Sequence, residues 1–327
     1  MRHSFYTFAG KFRQTMNVKA KGYILGTIAA ATYGMNPLFA LPLYKDGMNP
    51  DSVLFFRYLF AIPLLGIMIK ARRRDFKINR KEIFPLAIFG ILMSISSLTL
   101  FQSYNYMDAG IASTLLFIYP ILVALIMAFV FKEKLTLQTA LCILLAVGGI
   151  GLLYKNSDGS TLSLTGTALV FASSLSYAIY LVGINQNSLK SMATLKVTFY
   201  VLLFGLTLFI ARLYINDNLT LPNEWYLWGN LLALALFPTA ISFVCTTGSI
   251  QYIGSTPTAI LGALEPVTAI FFGITVFGET LTLRESIGLI LIIVAVTFVI
   301  AGSNITVHLT RFRKMFPKLP LRRKKQG

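Results

Sequence analysis

Histidine is nearly absent from this sequence, and acidic residues are few. The two histidines, His3 and His308, lie near the chain ends, and neither of the two cysteines stands beside a ligand set. Metal-binding spacings are therefore missing. Cys142 and Cys245 fall inside apolar runs, where a thiol acts as a small buried hydrophobe. No Gly-x-x-x-x-Gly-Lys stretch occurs, which argues against direct use of a nucleoside triphosphate. Charged residues make up only 13% of the chain against 56% apolar ones, and the mean hydropathy is positive. A water-soluble domain carries about 25% charged residues. The chain reads as an all-α integral membrane protein.

What the sequence does contain is a series of long apolar runs. A hydrocarbon core of ~30 Å takes about 20 helical residues. That length predicts ten transmembrane helices, at 22–42, 51–69, 83–104, 110–131, 135–153, 163–184, 193–214, 226–249, 255–277 and 283–302. The loops between them are too short for a soluble catalytic domain, so the function is expected within the bilayer. The first 21 residues are polar and basic and show no cleavable signal, so the first span is expected to direct insertion.

Lys and Arg stay on the cytoplasmic side of a bacterial-type inner membrane. With both termini inside, that side holds five basic residues in tail 1–21, seven in 70–81, two in 132–134, Lys190 and Lys196, and eight in tail 303–327. The other side keeps Lys45, Lys155, Arg212 and Arg284, and Arg57 lies within a span. The formal charge of +17 is thereby explained without a nucleic-acid partner. Membrane lipids are the expected partners of the tail sequence Arg322–Lys325, which suits anionic headgroups.

The chain also repeats itself. "LLFIYPILVALIMAFVFKEKLTLQ" from Leu115 aligns without a gap on "LGALEPVTAIFFGITVFGETLTLR" from Leu261, with Pro120 on Pro266 and Glu133 on Glu279. A weaker match sets "GYILGTIAAATYG" from Gly22 over "GTALVFASSLSYA" from Gly166, with Tyr33 on Tyr177. The two halves, 22–153 and 163–302, each hold five spans. Five is odd, so the second half enters from the opposite face, and the chain reads as two inverted five-helix repeats. That arrangement is common in secondary transporters. It also puts Glu133 and Glu279 on opposite sides, so they cannot act as a catalytic pair; with Thr136 and Thr282 nearby they suit helix starts.

"AGIASTLLFIYP…FKEKLT" in the first half and "GSTPTAILGALEP…FGETLT" in the second carry a resemblance to the EamA family of the drug/metabolite transporter superfamily. It covers roughly residues 22–302. The resemblance implies a ten-helix bundle around a polar cavity, and transport, often export, of amino acids or other small metabolites. An Arg in span two and Glu-Pro in span nine also resemble recurrent family features.

Ionisable side chains inside a span usually face the bundle interior, because facing lipid costs at least ~2.5 kcal/mol. Glu265, near the middle of span nine, shares a helical face with Thr258, Gly262 and Thr268. Arg57 lies about two turns into span two. One reading has Arg57 hold a substrate carboxylate or phosphate while Glu265 takes a substrate ammonium or a coupling proton. The other makes them a structural pair, or lets Arg57 snorkel outward. Asn36, before Pro37, and Tyr33 one step away are further candidates, because a proline frees a carbonyl at cavity depth. Gln102, Tyr119, Tyr177 and Tyr180 complete the set, whereas serines such as Ser94, Ser96, Ser97 and Ser173 suit interhelical packing. No cofactor is implied beyond that proton. One cation and one carboxylate fit a zwitterion such as an amino acid; a nucleobase, drug or sugar derivative, or a non-transporting scaffold, are the alternatives. An intramembrane enzyme would need a nucleophile with its base, and no histidine lies in any span.

Overall fold

The computed structural model describes residues 2–107, 115–133, 136–153, 163–186, 188–216 and 219–277, with isolated positions at 112 and between 283 and 298. For residues 2–17 it describes the backbone alone. The described residues are helical, without strands. In chain order the helices are α1 (Arg2–Tyr33), α2 (Asn36–Lys45), α3 (Pro50–Ala71), α4 (Arg80–Ser103), α5 (Tyr119–Phe129), α6 (Leu137–Leu153) and α7 (Leu164–Gln186). After a 3-10 turn (Ser188–Ser191) come α8 (Thr194–Asn216), α9 (Leu227–Ala235), a π turn (Leu236–Ile241), α10 (Ser242–Ile253), α11 (Ser255–Leu261) and α12 (Leu264–Phe277).

Among the described residues, six helical stretches are long and apolar enough to cross a membrane: Val18–Lys45, Pro50–Ala71, Arg80–Ser103, Leu164–Gln186, Thr194–Ile215 and Leu227–Ile253. They coincide with the first, second, third, sixth, seventh and eighth expected spans. The fourth and fifth expected spans appear as the shorter apolar helices α5 and α6. The tenth, 283–302, lies mostly outside the described residues, as does Glu279. Side chains such as Ile67 and Leu144 are each 67% exposed on the outer surface, the environment that lipid supplies. This is a multi-pass membrane protein.

Helix starts follow local chemistry. Asn49 Oδ1 accepts from Ser52 N at 2.7 Å ahead of Pro50, and Thr136 Oγ1 accepts from Thr139 N at 3.1 Å. At Asn79 the backbone N–H donates to Glu82 Oε2 at 2.8 Å. Helix breaks matter more for the site. Span one stops at Tyr33 and restarts at Asn36, so Tyr33 and Asn36 sit on different helices rather than on one face. Span nine breaks likewise at Gly262–Ala263, which interrupts the expected stripe from Thr258 to Thr268. Thr258 instead donates to Gly254 O, and Thr268 to Leu264 O. Each break sits just ahead of a proline, Pro37 or Pro266, whose ring cannot continue a preceding helix.

Packing is most extensive between α4 and α7 and between α1 and α10. Under the repeat alignment these are equivalent pairs, span three on six and span eight on one. A hydrogen bond joins the same two positions in each pair, with the donor on opposite sides. Ser173 Oγ donates to Ser96 O at 2.7 Å, and Ser242 Oγ donates to Ala29 O at 3.0 Å. Continuing the two alignments sets Ser96 on Ser242 and Ala29 on Ser173. The Ser96–Ser173 pair is thus interhelical packing, as expected, each such bond contributing about 0.6–2 kcal/mol in a bilayer. Gly22 and Gly26 let α1 lie close against α10 and α11, where a Cβ would strike Ile253 and Leu261. Gly148 faces open space.

Candidate functional site

The two broken helices cross. A Cβ on Gly34, in the break between α1 and α2, would strike the backbone carbonyl of Glu265 in the first turn of α12. Between them lies a crevice of about 30 Å³, lined among others by Tyr33, Asn36, Tyr104 and Glu265. That is space on the scale of a few waters. Glu265 is half-buried there, and Tyr119 Oη donates to its Oε1 over 3.4 Å. Among the described residues, neither Oδ1 nor Nδ2 of Asn36, which is 3% exposed, has a hydrogen-bond partner. A buried amide without partners is costly unless water or a ligand satisfies it.

The tyrosines are arranged by the repeat. Tyr33 stacks on Tyr177 at 6.5 Å between ring centroids, with planes 7° apart. Tyr119 meets Tyr177 edge-on at 4.8 Å, and Tyr180 stacks behind Tyr177 at 6.1 Å. Tyr33 and Tyr177 are repeat equivalents, and the alignment that sets Pro120 on Pro266 also sets Tyr119 on Glu265. Each residue therefore touches its own counterpart from the other half. Their identities differ at one pair only, and that difference puts a carboxylate on one side and its hydroxyl donor on the other.

Arg57 is placed apart from the crevice wall. It is fully buried, so it does not snorkel. Its Nη2 donates to Pro238 O at 3.0 Å and its Nε to Thr239 Oγ1 at 2.5 Å. The guanidinium carbon lies 5.5 Å from the Phe101 ring centroid and 5.9 Å from those of Tyr33 and Phe243. The π turn explains these partners. Pro238 has no N–H for the carbonyl of Leu234, so Thr239 Oγ1 donates to that oxygen at 2.8 Å, and the widened turn leaves Pro238 O free to accept from Arg57. The alternative of an Arg57–Glu265 pair is not realised: the two ion pairs among the described residues lie elsewhere, and Tyr33 lies against Arg57 and lines the crevice with Glu265. Among the described residues Nη1 has no hydrogen-bond partner and is left to the aromatic faces.

Of the sequence candidates, Glu265, Tyr33 and Asn36 meet at the crevice, Tyr119 and Tyr177 back it, and Tyr180 lies one ring behind. Gln102 is half-buried on α4 and does not line the crevice. Sequence reasoning missed Tyr104, Thr239 and Phe243. The Pro238-Thr239 pair was a visible signal, since a proline in mid-span orphans a carbonyl that a neighbouring hydroxyl can serve.

Ion pairs link one end of α8 to α3 and the other to the loop that follows α3. Arg212 grips Asp51 through two bonds, Nε to Oδ1 at 2.6 Å and Nη2 to Oδ2 at 3.1 Å. At the other end Lys196 Nζ reaches Asp75 Oδ1 at 2.6 Å and Lys77 O at 2.9 Å. That hydrogen bond and the ammonium charge hold the Asp75 carboxyl below its ordinary range.

A family model described as the EamA-like transporter family matches residues 20–155 and again 164–301. The chain belongs to the EamA-like transporter family. An uncharacterized transporter of Archaeoglobus fulgidus is 28% identical over 80% of this chain and 89% of its own length. An uncharacterized transporter of Synechocystis is 30% identical over 77% of this chain and 78% of its own. The uncharacterized inner membrane transporter YicL of Salmonella typhimurium is 23% identical over 88% and 98%. A solved crystal structure, 17% identical, superposes with a TM-score of 0.71 over 85% of this chain and 96% of that one, which shows a shared fold. The family and these relatives make this protein a membrane transporter.

Proposed function

We propose that this EamA-like protein is a secondary transporter for a small zwitterion such as an amino acid, working by alternating access in the export direction. It spans the membrane ten times as two inverted five-helix halves, with both termini cytoplasmic. The observation that carries the reading is the meeting of repeat-equivalent residues at one crevice: Tyr33 on Tyr177, and Tyr119 on Glu265. Similar halves in opposite orientations have two arrangements of nearly equal energy, one open to each side. A site on the axis relating them is the one place that both arrangements share.

At about 30 Å³ the crevice is too small for a metabolite, so loading requires the halves to rock apart. Glu265 then receives the substrate ammonium or, when empty, a proton. Asn36 offers an amide to the substrate's polar end. Arg57, behind Tyr33, contributes positive potential on the side where a carboxylate lies, without touching it. Its contacts hold the π turn, so its direct role is positioning.

The test is flux of labelled amino acids in proteoliposomes, wild type against Glu265→Gln, with and without a proton gradient. Gradient-stimulated flux that Gln abolishes is the expected result. Equal flux in both proteins makes Glu265 structural. Strong phosphate-ester transport that survives loss of Glu265 would refute the zwitterion.

A further inference from the structure

A second cavity, of about 550 Å³, lies where the ends of α5, α7 and α10 converge. Its volume is in the range of small-molecule sites. Under the proposed topology it opens to the cytoplasm. Its walls include Glu133, Asn185, Gln186, Lys190 and Gln251.

These polar groups are unequally occupied. Gln251 is spent: its Nε2 donates to Met192 O at 2.8 Å and its Oε1 accepts from Thr194 Oγ1 at 3.0 Å. Gln186 Nε2 points at a thioether, Met127 Sδ, at 3.7 Å, a weak acceptor that a carboxylate displaces readily. Asn185 is only 9% exposed, and its Oδ1 has no partner. Its Nδ2 makes one long bond, 3.4 Å to Ser255 Oγ. Glu133 and Lys190 stand exposed on the rim, and the ion pairs among the described residues do not include them. The cavity thus offers acceptors, Asn185 Oδ1 and Glu133, for an ammonium. It offers donors, Gln186 Nε2 and Lys190, for a carboxylate.

We infer that this cavity is a second binding site, for the same small zwitterion, with Asn185 as its buried ligand. The inference rests on the transporter reading for the identity of the ligand. Under the proposed topology the site lies on the cytoplasmic side of the crevice, since Gly254, in its wall, precedes the span that carries Glu265. Ser255, the partner of Asn185, opens the seven-residue helix α11. Gly254, at φ +90°, precedes α11, and the Gly262–Ala263 break follows it, so α11 is set off by a helix break at each end. An ammonium drawn to Asn185 Oδ1 turns the amide and loosens its long Nδ2 bond to Ser255 at the start of α11. Occupancy of the cavity is thereby coupled to the segment that leads to Glu265.

The test uses Tyr252→Cys as a reporter, since Tyr252 lines the cavity and is 44% exposed, while Cys142 and Cys245 are buried and give the baseline. Labelling by a charged thiol reagent is timed with each of the common L-amino acids at millimolar concentration. At least one is expected to slow labelling severalfold, and to do so equally with Glu265→Gln added. Adding Asn185→Leu should abolish that protection, and Asn185→Asp, which keeps the acceptor, should retain it in protein of wild-type melting temperature. Protection by none of them, or protection that depends on Glu265 and ignores Asn185, overturns the inference. Flux measured alongside separates the two readings. Flux without protection removes the second site and keeps the transporter, whereas protection without flux keeps the site and removes the transport reading.

Discussion

Replacing Arg57 by Lys keeps the charge and removes the fork. The guanidinium serves Pro238 O and Thr239 Oγ1 together while lying among three aromatic rings. An ammonium is a compact point charge that cannot hold both oxygens and present flat faces to rings. One lost hydrogen bond from a charged group costs about 1.5–3 kcal/mol, and the lost ring contact about 0.5–2 kcal/mol where water is excluded. Arg57→Lys should therefore lose about 2–5 kcal/mol of stability. Arg57→Met should lose less, because it also removes a buried charge without an ionic partner, whose desolvation is itself expensive. Thermal unfolding in detergent, followed by intrinsic fluorescence, ranks the three proteins. A lysine variant as stable as wild type, with only its substrate affinity reduced, would refute the positioning role and make Arg57 a substrate ligand.

Gly34→Ala should cost about 1–3 kcal/mol through overpacking, because its Cβ meets the Glu265 carbonyl and Thr268 Cβ; wild-type flux and stability in this variant would argue against a crossing that must stay tight. Asp51→Asn should cost at most about 1 kcal/mol, since the Arg212 side chain is 33% exposed and solvent screens the pair; a much larger drop in melting temperature would mean that the pair also governs the two-helix contact. The Asp75 carboxyl has a lowered folded pKa, so its contribution is complete above the unfolded carboxylate range and is lost as pH falls through the folded value. The melting difference between wild type and Asp75→Asn should accordingly be present at neutral pH and vanish in acid, and a difference that persists there would rule out the charge as its source.

Much of the membrane architecture was legible because lipid imposes it. Apolar run length marked the six long membrane helices, and the Tyr33–Tyr177 and Pro120–Pro266 matches gave the register of the two halves. Glu265 was legible as a single carboxylate in a greasy run, since a lone charge in hydrocarbon is too costly to be there by accident. Arg57 looked equivalent by the same logic and proved different. Its partners are a carbonyl and a hydroxyl made available by a π turn, and no periodicity in the sequence announces that turn.

By itself, then, the sequence determined that the chain is a helical membrane protein with a duplicated interior and a carboxylate within it, because hydropathy and repetition are properties of the chain in order. Tertiary structure alone decided that two broken helices cross at Gly34 and Glu265, that Tyr33 lies against Arg57 and lines the crevice with Glu265, and that Asn36 and Asn185 keep polar atoms free. Those facts depend on which side chains reach which partners across helices far apart in sequence. Backbone breaks only a residue or two long set those directions.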